Sequence, residues 1–150
     1  MKIKKQADFV LRKSNGVVNK LIKGAFELES FSVESFNDYM GGQHSVETEV
    51  YQNSKGLYYS LLRGCILPKM TISRDVYKSK LLIHGVLKEK KVVIIIPDEG
   101  INLKCNGEEL SYNELFIVTE NFETHVSTCA NLATYALSID ESALASYLGR

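Results

Sequence analysis

From residue 46 onward, hydrophobic and polar residues follow one another in short runs of the kind that form β-strands. The runs are rich in Val, Ile, Leu and Tyr, and turn residues separate them at 53–56 and 97–100. Asn106-Gly107 predicts a tight hairpin. The pattern predicts strands at residues 46–52, 57–65, 66–73, 80–84, 92–96, 101–105, 115–119, 125–127 and 133–137. Many short strands at regular spacing are typical of a β-sandwich or β-barrel.

The run from Val92 to Ile96 differs from the others because every one of its residues is apolar. An alternating strand has one face toward solvent, whereas a strand that is apolar at both parities is usually covered on both faces. We therefore expect this strand to be covered on both faces and to mark the centre of the core.

Two segments before residue 46 have the spacing of helices. Ser32 can cap a helix over 33–40, and the hydrophobic face of that helix includes Phe36 and Met40. The apolar positions of residues 17–24 favour a second short helix, which a glycine closes. A third helix is predicted at 139–148, where Ser138 and Glu141 have the spacing of a capping box.

Composition and charge favour one globular domain. The 150 residues include 45% hydrophobic and 24% charged residues, and the formal net charge is zero. Residues 1–24, the basic head, carry seven Lys and Arg against Asp8. The basic head is either a solvated terminal segment or a contact for an acidic partner, and a chain without overall basicity is not expected to bind nucleic acid directly.

No stretch resembles a membrane span or a signal peptide, which predicts a cytoplasmic protein without membrane contact.

Motifs for metal binding or catalysis are weak. His44, His84 and His125 form no H-x-H pair, and only His44 precedes carboxylates closely, at Glu47 and Glu49. Two more ligands would have to come from elsewhere. The sequence contains no nucleophile elbow, P-loop or dinucleotide-binding motif, and its three widely spaced cysteines are expected to be buried free thiols. We therefore expect no enzymatic activity, no metal and no cofactor.

Two neighbouring predicted strands offer a candidate ligand site. Residues of one parity on each strand share a face, and each face ends in an arginine. If that face points into a barrel, an arginine is a natural anchor for a carboxylate or phosphate. Alternatively, both arginines are surface residues at strand ends. The candidate ligand-binding residues are Tyr59, Leu61, Arg63, Met70, Ile72, Arg74 and Ile94.

Several short segments follow one another in a characteristic order. They are Phe31-Ser32-Val33-Glu34-Ser35-Phe36-Asn37-Asp38-Tyr39, Gly56-Leu57-Tyr58-Tyr59-Ser60-Leu61, Ile72-Ser73-Arg74-Asp75-Val76, Gly85 with 92–97, Leu115-Phe116-Ile117-Val118, and 133–139 running into Asp140-Glu141-Ser142-Ala143-Leu144. In this order and spacing, the chain from about residue 30 onward resembles the N-terminal regulatory domain of AraC/XylS-type transcriptional regulators. The resemblance rests on order, since none of the segments is diagnostic alone.

The resemblance implies a mainly β (α+β) fold, a degenerate cupin-like β-barrel or sandwich over 30–138 between short N-terminal helices and the C-terminal helix at 139–148. It also implies a regulatory sensor domain that binds a small-molecule effector, forms a homodimer, or both. In the family, DNA is bound by a following domain with two helix-turn-helix units, which we expect to be absent from residues 1–150. The residues expected at the dimer interface, or alternatively packed against the domain itself, are Leu144, Tyr147 and Leu148.

Two other functions stay open from the sequence. One is a small cupin-type metalloenzyme built around His44. The other is a free-standing protein-interaction module that uses the basic head, from Lys2 to Lys23.

Overall fold

The computed structural model describes residues 12–14, 17–22, 24–41 and 46–149. These residues form thirteen β-strands and two α-helices. The strands are β1 (Arg12–Ser14), β2 (Val17–Ile22), β3 (Ala25–Ser30), β4 (Val46–Gln52), β5 (Ser60–Leu67), β6 (Met70–Tyr77), β7 (Leu81–Leu87), β8 (Lys91–Pro97), β9 (Leu103–Cys105), β10 (Glu108–Leu110), β11 (Phe116–Val118), β12 (Glu123–Thr128) and β13 (Leu132–Asp140). The helices are α1 (Val33–Gly41) and α2 (Glu141–Tyr147).

The strands form two antiparallel sheets. The first has eight strands in the order β1-β2-β3-β5-β6-β13-β8-β11, and the second has five in the order β10-β9-β12-β7-β4. The two sheets are not joined into a closed barrel, so the fold is a β-sandwich. The mainly β prediction is therefore confirmed, in its sandwich form.

The hydrophobic core lies between the sheets and is closed by α1. Phe36 of α1 and Leu81 of β7 are 1% and 0% exposed. The rings of Tyr58 and Tyr77 both lie 6.1 Å from the ring of Phe36, between centroids. The other buried members of this cluster are Leu28, Val50, Leu103, Cys105 and Leu132.

Each predicted strand overlaps a strand of the structure, with shifted boundaries. The largest difference is at 66–73, where Pro68 and Lys69 form a turn between β5 and β6. Proline has no backbone N–H to donate to a neighbouring strand, which favours a turn at this position. Asn106-Gly107 joins β9 to β10 with positive φ at both residues, which confirms the predicted hairpin.

The predicted helix at 17–24 is wrong. Residues 17–22 form β2, which pairs with β3 through a tight turn that contains Gly24 at φ 81°. Val17, Val18 and Ile22 are β-branched, and such side chains favour strands over helices. Strands β1 and β2 belong to the basic head, so the described part of the head is paired in the sheet, while the rest of it lies outside the described residues.

Helix α1 forms where the sequence predicts it. The hydroxyl oxygen of Ser32 accepts a hydrogen bond from the backbone N–H of Ser35 at 3.1 Å, as expected of an N-cap. The side-chain amide of Asn37 donates to the carbonyl of Val50 and accepts from its N–H, both at 2.8 Å. These two bonds hold α1 against β4.

Helix α2 begins later than predicted. Ser138 lies in β13, where its neighbours in the sheet are Thr71 and Val93, and the N-cap is Asp140, which makes no side-chain capping bond. The predicted capping box is therefore wrong, because pairing on both sides of β13 extends the strand past Ser138. Among the described residues, no helix is long and apolar enough to cross a membrane.

Candidate functional site

A cavity of about 240 Å³ lies between the two sheets. Both sheets line it with Val, Ile, Leu and Thr side chains, and α1 contributes Phe36 and Met40. Ligand pockets in proteins usually measure about 300–1,000 Å³ and are mostly apolar with a few polar groups. The cavity is therefore suited to a ligand smaller than a typical drug molecule.

Asp75 is the only carboxyl group among the described residues that line this cavity. It lies on β6, with Leu62 of β5 and Thr134 of β13 beside it in the sheet. Its Oδ1 atom is buried and has no hydrogen-bond partner among the described residues. A buried polar atom without a partner is costly, so the cavity favours a molecule that donates a hydrogen bond here.

The pKa of Asp75 is set mainly by burial. Burial raises the pKa of Asp75 from 3.8 to about 6, and a hydrogen bond with Ser73 lowers it by a smaller amount. The carboxyl group is thus mainly ionised at neutral pH. No Lys, Arg or His is present in the described lining to balance it. The cavity therefore holds a negative charge without a protein counter-ion.

Tyr77 provides a second polar group in the same cavity. It lies two residues after Asp75 on β6, so both side chains are on the same face of the sheet. Burial raises the pKa of Tyr77 well above its ordinary value, and the charge of Asp75 adds to this effect. The phenol group stays protonated and can donate a hydrogen bond. The cavity thus combines an anionic acceptor with a neutral donor.

The candidate ligand-binding residues do not line this cavity. The cavity side of β5 and β6 carries the opposite parity, with Leu62, Asp75 and Tyr77. The expected orientation is therefore wrong. On β5 both parities are apolar, and on β6 the more apolar parity, with Met70, Ile72 and Val76, lies on the outer side, so alternation does not show which face is buried. The candidate residues that instead lie on the outer side of the eight-stranded sheet are Tyr59, Leu61, Arg63, Met70, Ile72, Arg74 and Ile94.

The two candidate anchor arginines have acidic partners at the surface. Arg63 Nε lies 2.6 Å from Glu27 Oε2, and Arg74 Nη2 lies 2.8 Å from Asp98 Oδ2. The guanidinium of Arg74 also lies over the ring of Tyr135, 5.7 Å from its centroid. Both arginines are thus surface residues, which was the alternative interpretation of the sequence.

The outer side of the eight-stranded sheet has an exposed apolar surface. One row of residues crosses β5, β6, β13, β8 and β11 in register, and we call it the outer apolar row. It consists of Cys65, Ile72, Leu137, Ile94 and Ile117. Ile72 and Ile117 are 43% and 52% exposed. Cys65 is also exposed, so the expectation of buried thiols is wrong for this residue.

Strand β8 is covered on one face and not on both. Val93 and Ile95 line the cavity, whereas Ile94 is only half-buried on the outer side and Ile96 is 37% exposed. The predicted coverage of both faces is therefore wrong within the described residues, because a two-layer sandwich covers one face of each sheet. Strand β8 is thus apolar on its open face as well as on the face toward the cavity.

The predicted dimer residues lie on α2 and differ in exposure. Ala143 is 3% exposed and anchors the helix, and Leu144 is half-buried. Tyr147 and Leu148 are 86% and 63% exposed. Leu144 thus packs partly against the domain, whereas the other two side chains are accessible to a partner.

Comparison with solved structures identifies the fold. A cupin domain of Cnp3 from Schizosaccharomyces pombe matches 91% of this chain and 96% of its own, with a TM-score of 0.46 and 8% identity. An RmlC-like cupin from Shewanella frigidimarina matches 66% of this chain and 86% of its own, with a TM-score of 0.43 and 11% identity. The AraC-like transcriptional activator CuxR matches 82% of this chain, with a TM-score of 0.59 and 13% identity. Of these three structures only CuxR exceeds a TM-score of 0.5, so the likeness shows that this chain has the fold of the matching part of that AraC-like activator.

The domain shares its fold with CuxR, a regulator of the class that the sequence resembles, which confirms that resemblance at the level of the fold. The chain covers 50% of CuxR, so it spans about half the length of that activator. No known protein family matches the sequence, and no curated protein matches it significantly. The likeness is therefore structural.

The cavity does not fit a metal centre. A metal site in a protein generally needs at least three ligand groups, such as imidazoles and carboxylates. The described lining contains one carboxyl group, Asp75, and neither His nor Cys. His44, the histidine named for the metalloenzyme alternative, lies outside the described residues, and Glu47 and Glu49 are exposed.

Sequence reasoning did not single out Asp75, the carboxyl group of the described cavity lining. The available signal was its parity, because Asp75 alternates with the outward-facing Arg74 and shares a face with Tyr77 in a strand. A charged residue on the core-facing side of a strand is costly unless it is paired or hydrogen-bonded, but Thr71 and Ser73 on the same face make that face look polar in the sequence. Its neighbours in the cavity could be found only from the pairing of β6 with β5 and β13.

Proposed function

We propose that this domain is the sensor part of a transcriptional regulator and that it binds a small apolar amine in the cavity between its sheets. The observation that carries the proposal is Asp75, an ionised carboxyl group with a buried, unpartnered oxygen in an apolar cavity. The domain acts without catalysis, and DNA is bound by a separate domain of the regulator. Its place of action is the cytoplasm, where the DNA is.

The cavity discriminates between classes of effector by charge. An ammonium group would donate hydrogen bonds to Asp75 and neutralise its charge, and its hydrocarbon part would contact the Val, Ile and Leu side chains. A carboxylate or a fatty acid would place a second negative charge beside Asp75, which is unfavourable in a cavity of low dielectric. We therefore expect amines to bind and organic acids of the same shape to be excluded.

A thermal-shift panel with molecules of matched shape tests this expectation. Benzylamine and cyclohexylmethylamine are compared with benzoate, cyclohexanecarboxylate and benzyl alcohol. An amine at about 100 times its dissociation constant stabilises the folded state by about 2.7 kcal/mol. Asp75→Asn abolishes the shift, because it removes the charge that pairs with the ammonium group. Asp98→Asn, which removes an exposed carboxylate outside the cavity, keeps it. A panel without an amine response, or a response that survives in Asp75→Asn, contradicts the proposal.

The outer apolar row favours homodimerisation as a second part of the function. The row crosses five strands, and the pairs Arg63–Glu27 and Arg74–Asp98 border it on one side. A two-fold axis would place the same apolar surface of a second copy against it. Such a copy would supply the cover that the outer side of β8 lacks within the described residues. Tyr147 and Leu148 of α2 would extend this interface.

Replacing one residue in the outer apolar row should separate the dimer. Ile72→Lys places a charge in the middle of the row at a position that is 43% exposed in the single chain, so the fold tolerates it. Light scattering coupled to gel filtration should show a dimer for the native protein and a monomer for the variant. Leu57→Lys is the matched control, because Leu57 is 94% exposed and lies outside the strands. A native protein that stays monomeric at high concentration rules out this interface.

A further inference from the structure

Two histidines face each other on the outer side of the five-stranded sheet. His84 of β7 and His125 of β12 are direct partners across the two strands. Their rings are stacked, with 4.7 Å between centroids and 16° between planes. His84 is half-buried and His125 is exposed. This pair lies on the face of the sheet opposite to the cavity, which the residues beside them, Gly85 and Val126, line.

Glu123 joins the two imidazoles from the same side of the sheet. It lies two residues before His125 on β12, so both side chains point outward. Its Oε1 atom lies 2.9 Å from Nε2 of His84 and 3.4 Å from Nε2 of His125. One ligand atom from each of the three residues lies within 4.8 Å of the other two.

The three groups have the chemistry and spacing of a zinc site. Imidazole nitrogen and carboxylate oxygen bind zinc at about 2.0–2.2 Å, and tetrahedral geometry then places ligand atoms about 3.4 Å apart. The two distances from Glu123 Oε1, 2.9 and 3.4 Å, are close to this value. Two histidines and one glutamate also form the protein part of open zinc sites, in which water takes the remaining position.

The surrounding charges favour a cation. Glu49 of β4 is the partner of His84 on its other side, and Glu47 lies on the same strand and face. Lys88 forms an ion pair with Glu47, with Nζ 3.1 Å from Oε2, and no described ion pair places a lysine or arginine on Glu123. Lys104 of β9 also lies beside the pair, with its Nζ 3.5 Å from Oε1 of Glu109. Each of the two lysines is thus paired with a glutamate, and Glu49 and Glu123 leave more negative than positive charge around the pair.

We propose that His84, Glu123 and His125 bind one divalent transition-metal ion, with zinc as the best match, on the outer side of the five-stranded sheet. The ion would tie β7 to β12 and lies outside the cavity, so the site is independent of the effector proposed above. Because imidazole binds a metal only in its neutral form, zinc affinity falls as the pH is lowered.

Calorimetric titration of chelator-treated, full-length protein with zinc chloride tests the site. We expect one zinc ion per chain and a higher melting temperature on zinc addition. Loss of an outer-sphere partner of a metal ligand typically costs about 10–100-fold in affinity, so loss of a direct ligand in His84→Gln or His125→Gln should cost at least about 100-fold. Both positions are on the surface, and circular dichroism confirms that the variants fold.

Two further measurements make the test decisive. Glu108→Gln, which removes an exposed carboxylate at the hairpin between β9 and β10, should leave zinc affinity unchanged. Cobalt titration should give the visible absorption of a site with nitrogen and oxygen ligands in the native protein and not in His125→Gln. Absence of zinc binding at millimolar concentration, or zinc binding by His84→Gln and His125→Gln that is as tight as binding by the native protein, overturns the proposal. In that case the three groups are only a surface ion-pair cluster.

Discussion

Asp75→Asn should make the domain more stable at neutral pH than the native protein, and the advantage should vanish in acid. Burial raises the pKa of Asp75 from 3.8 to about 6 in the folded state. The folded state then binds more protons than the unfolded state between these two values, so the native protein loses stability as the pH rises through about 6. The difference between a pKa of 3.8 in the unfolded state and about 6 in the folded state corresponds to about 3 kcal/mol in the free energy of unfolding. Asparagine does not ionise and avoids this loss.

The measurement is the free energy of unfolding of both proteins between about pH 4 and neutral pH. The difference between Asp75→Asn and the native protein should grow by about 3 kcal/mol across this range, or about 6–12 °C in melting temperature for a chain of this size. Because the test uses the change of this stability difference with pH, any pH-independent destabilisation by the buried asparagine amide cancels.

Asp98→Asn is the matched control, because its effect on stability should change with pH in the opposite direction. The hydrogen bond from Arg74 holds the pKa of Asp98 below its ordinary value. A carboxyl group with a lowered pKa adds stability above its unfolded pKa and loses it in acid, so this variant should become relatively less stable as the pH rises. Equal pH curves for Asp75→Asn and the native protein would show that Asp75 is well hydrated and that the cavity does not hold an uncompensated charge.

Phe36→Ala should destabilise the domain by about 3–5 kcal/mol, the usual cost of removing a buried phenylalanine. Phe36 is 1% exposed, packs against Tyr58 and Tyr77, and forms part of the cavity wall from α1. Its removal loses apolar burial and enlarges the cavity. Domains are stable by about 5–15 kcal/mol, so the variant should remain folded in the absence of denaturant. Urea titration gives the loss directly.

Phe31→Ala is the control for Phe36→Ala, because it removes an aromatic ring near α1 that is exposed and not part of the buried core. Phe31 is 51% exposed and contacts Tyr59 with 5.6 Å between ring centroids, so its removal should cost about 1 kcal/mol. The enlarged cavity of Phe36→Ala should also accept bulkier amines than the native one. A cost for Phe36→Ala as small as that for Phe31→Ala would show that α1 does not close the core.

Local features of the sequence were sufficient to predict many elements. The cap at Ser32, the hairpin at Asn106-Gly107 and the glycine turns depend on neighbouring residues, and the structure has them where they were expected. The apolar runs likewise identified the strands, because strand side chains alternate with a period of two residues.

Features that depend on pairing between distant segments were not predictable in this way. Residues 17–22 have apolar positions that suit a helix, but pairing with β3 makes them a strand. Leu61 and Leu62 are both apolar, and only the position of β5 between β3 and β6 shows that Leu62 faces the cavity. A one-residue change in parity exchanges the two faces of a strand, which is why Leu61 and Ile72 were expected to face the interior although they lie on the outer side.

The same limit applies to the histidine site. His84 and His125 are separated by more than forty residues, and neither has a ligand-type spacing with the other in the sequence. Their proximity follows from the register of β7 with β12, in which these two positions are opposite each other. Metal-ligand motifs within one segment are visible in a sequence, whereas a ligand set built across a sheet is not.

The two hydrogen bonds between Asn37 and Val50 have a consequence for aggregation. Strand β4 is at the edge of the five-stranded sheet, where unpaired N–H and C=O groups can recruit a strand from another molecule. The Asn37 amide occupies the N–H and C=O of Val50 with a donor and an acceptor, as a neighbouring strand would. Helix α1 thus occupies this part of the edge of β4, which hinders pairing with a strand of another molecule.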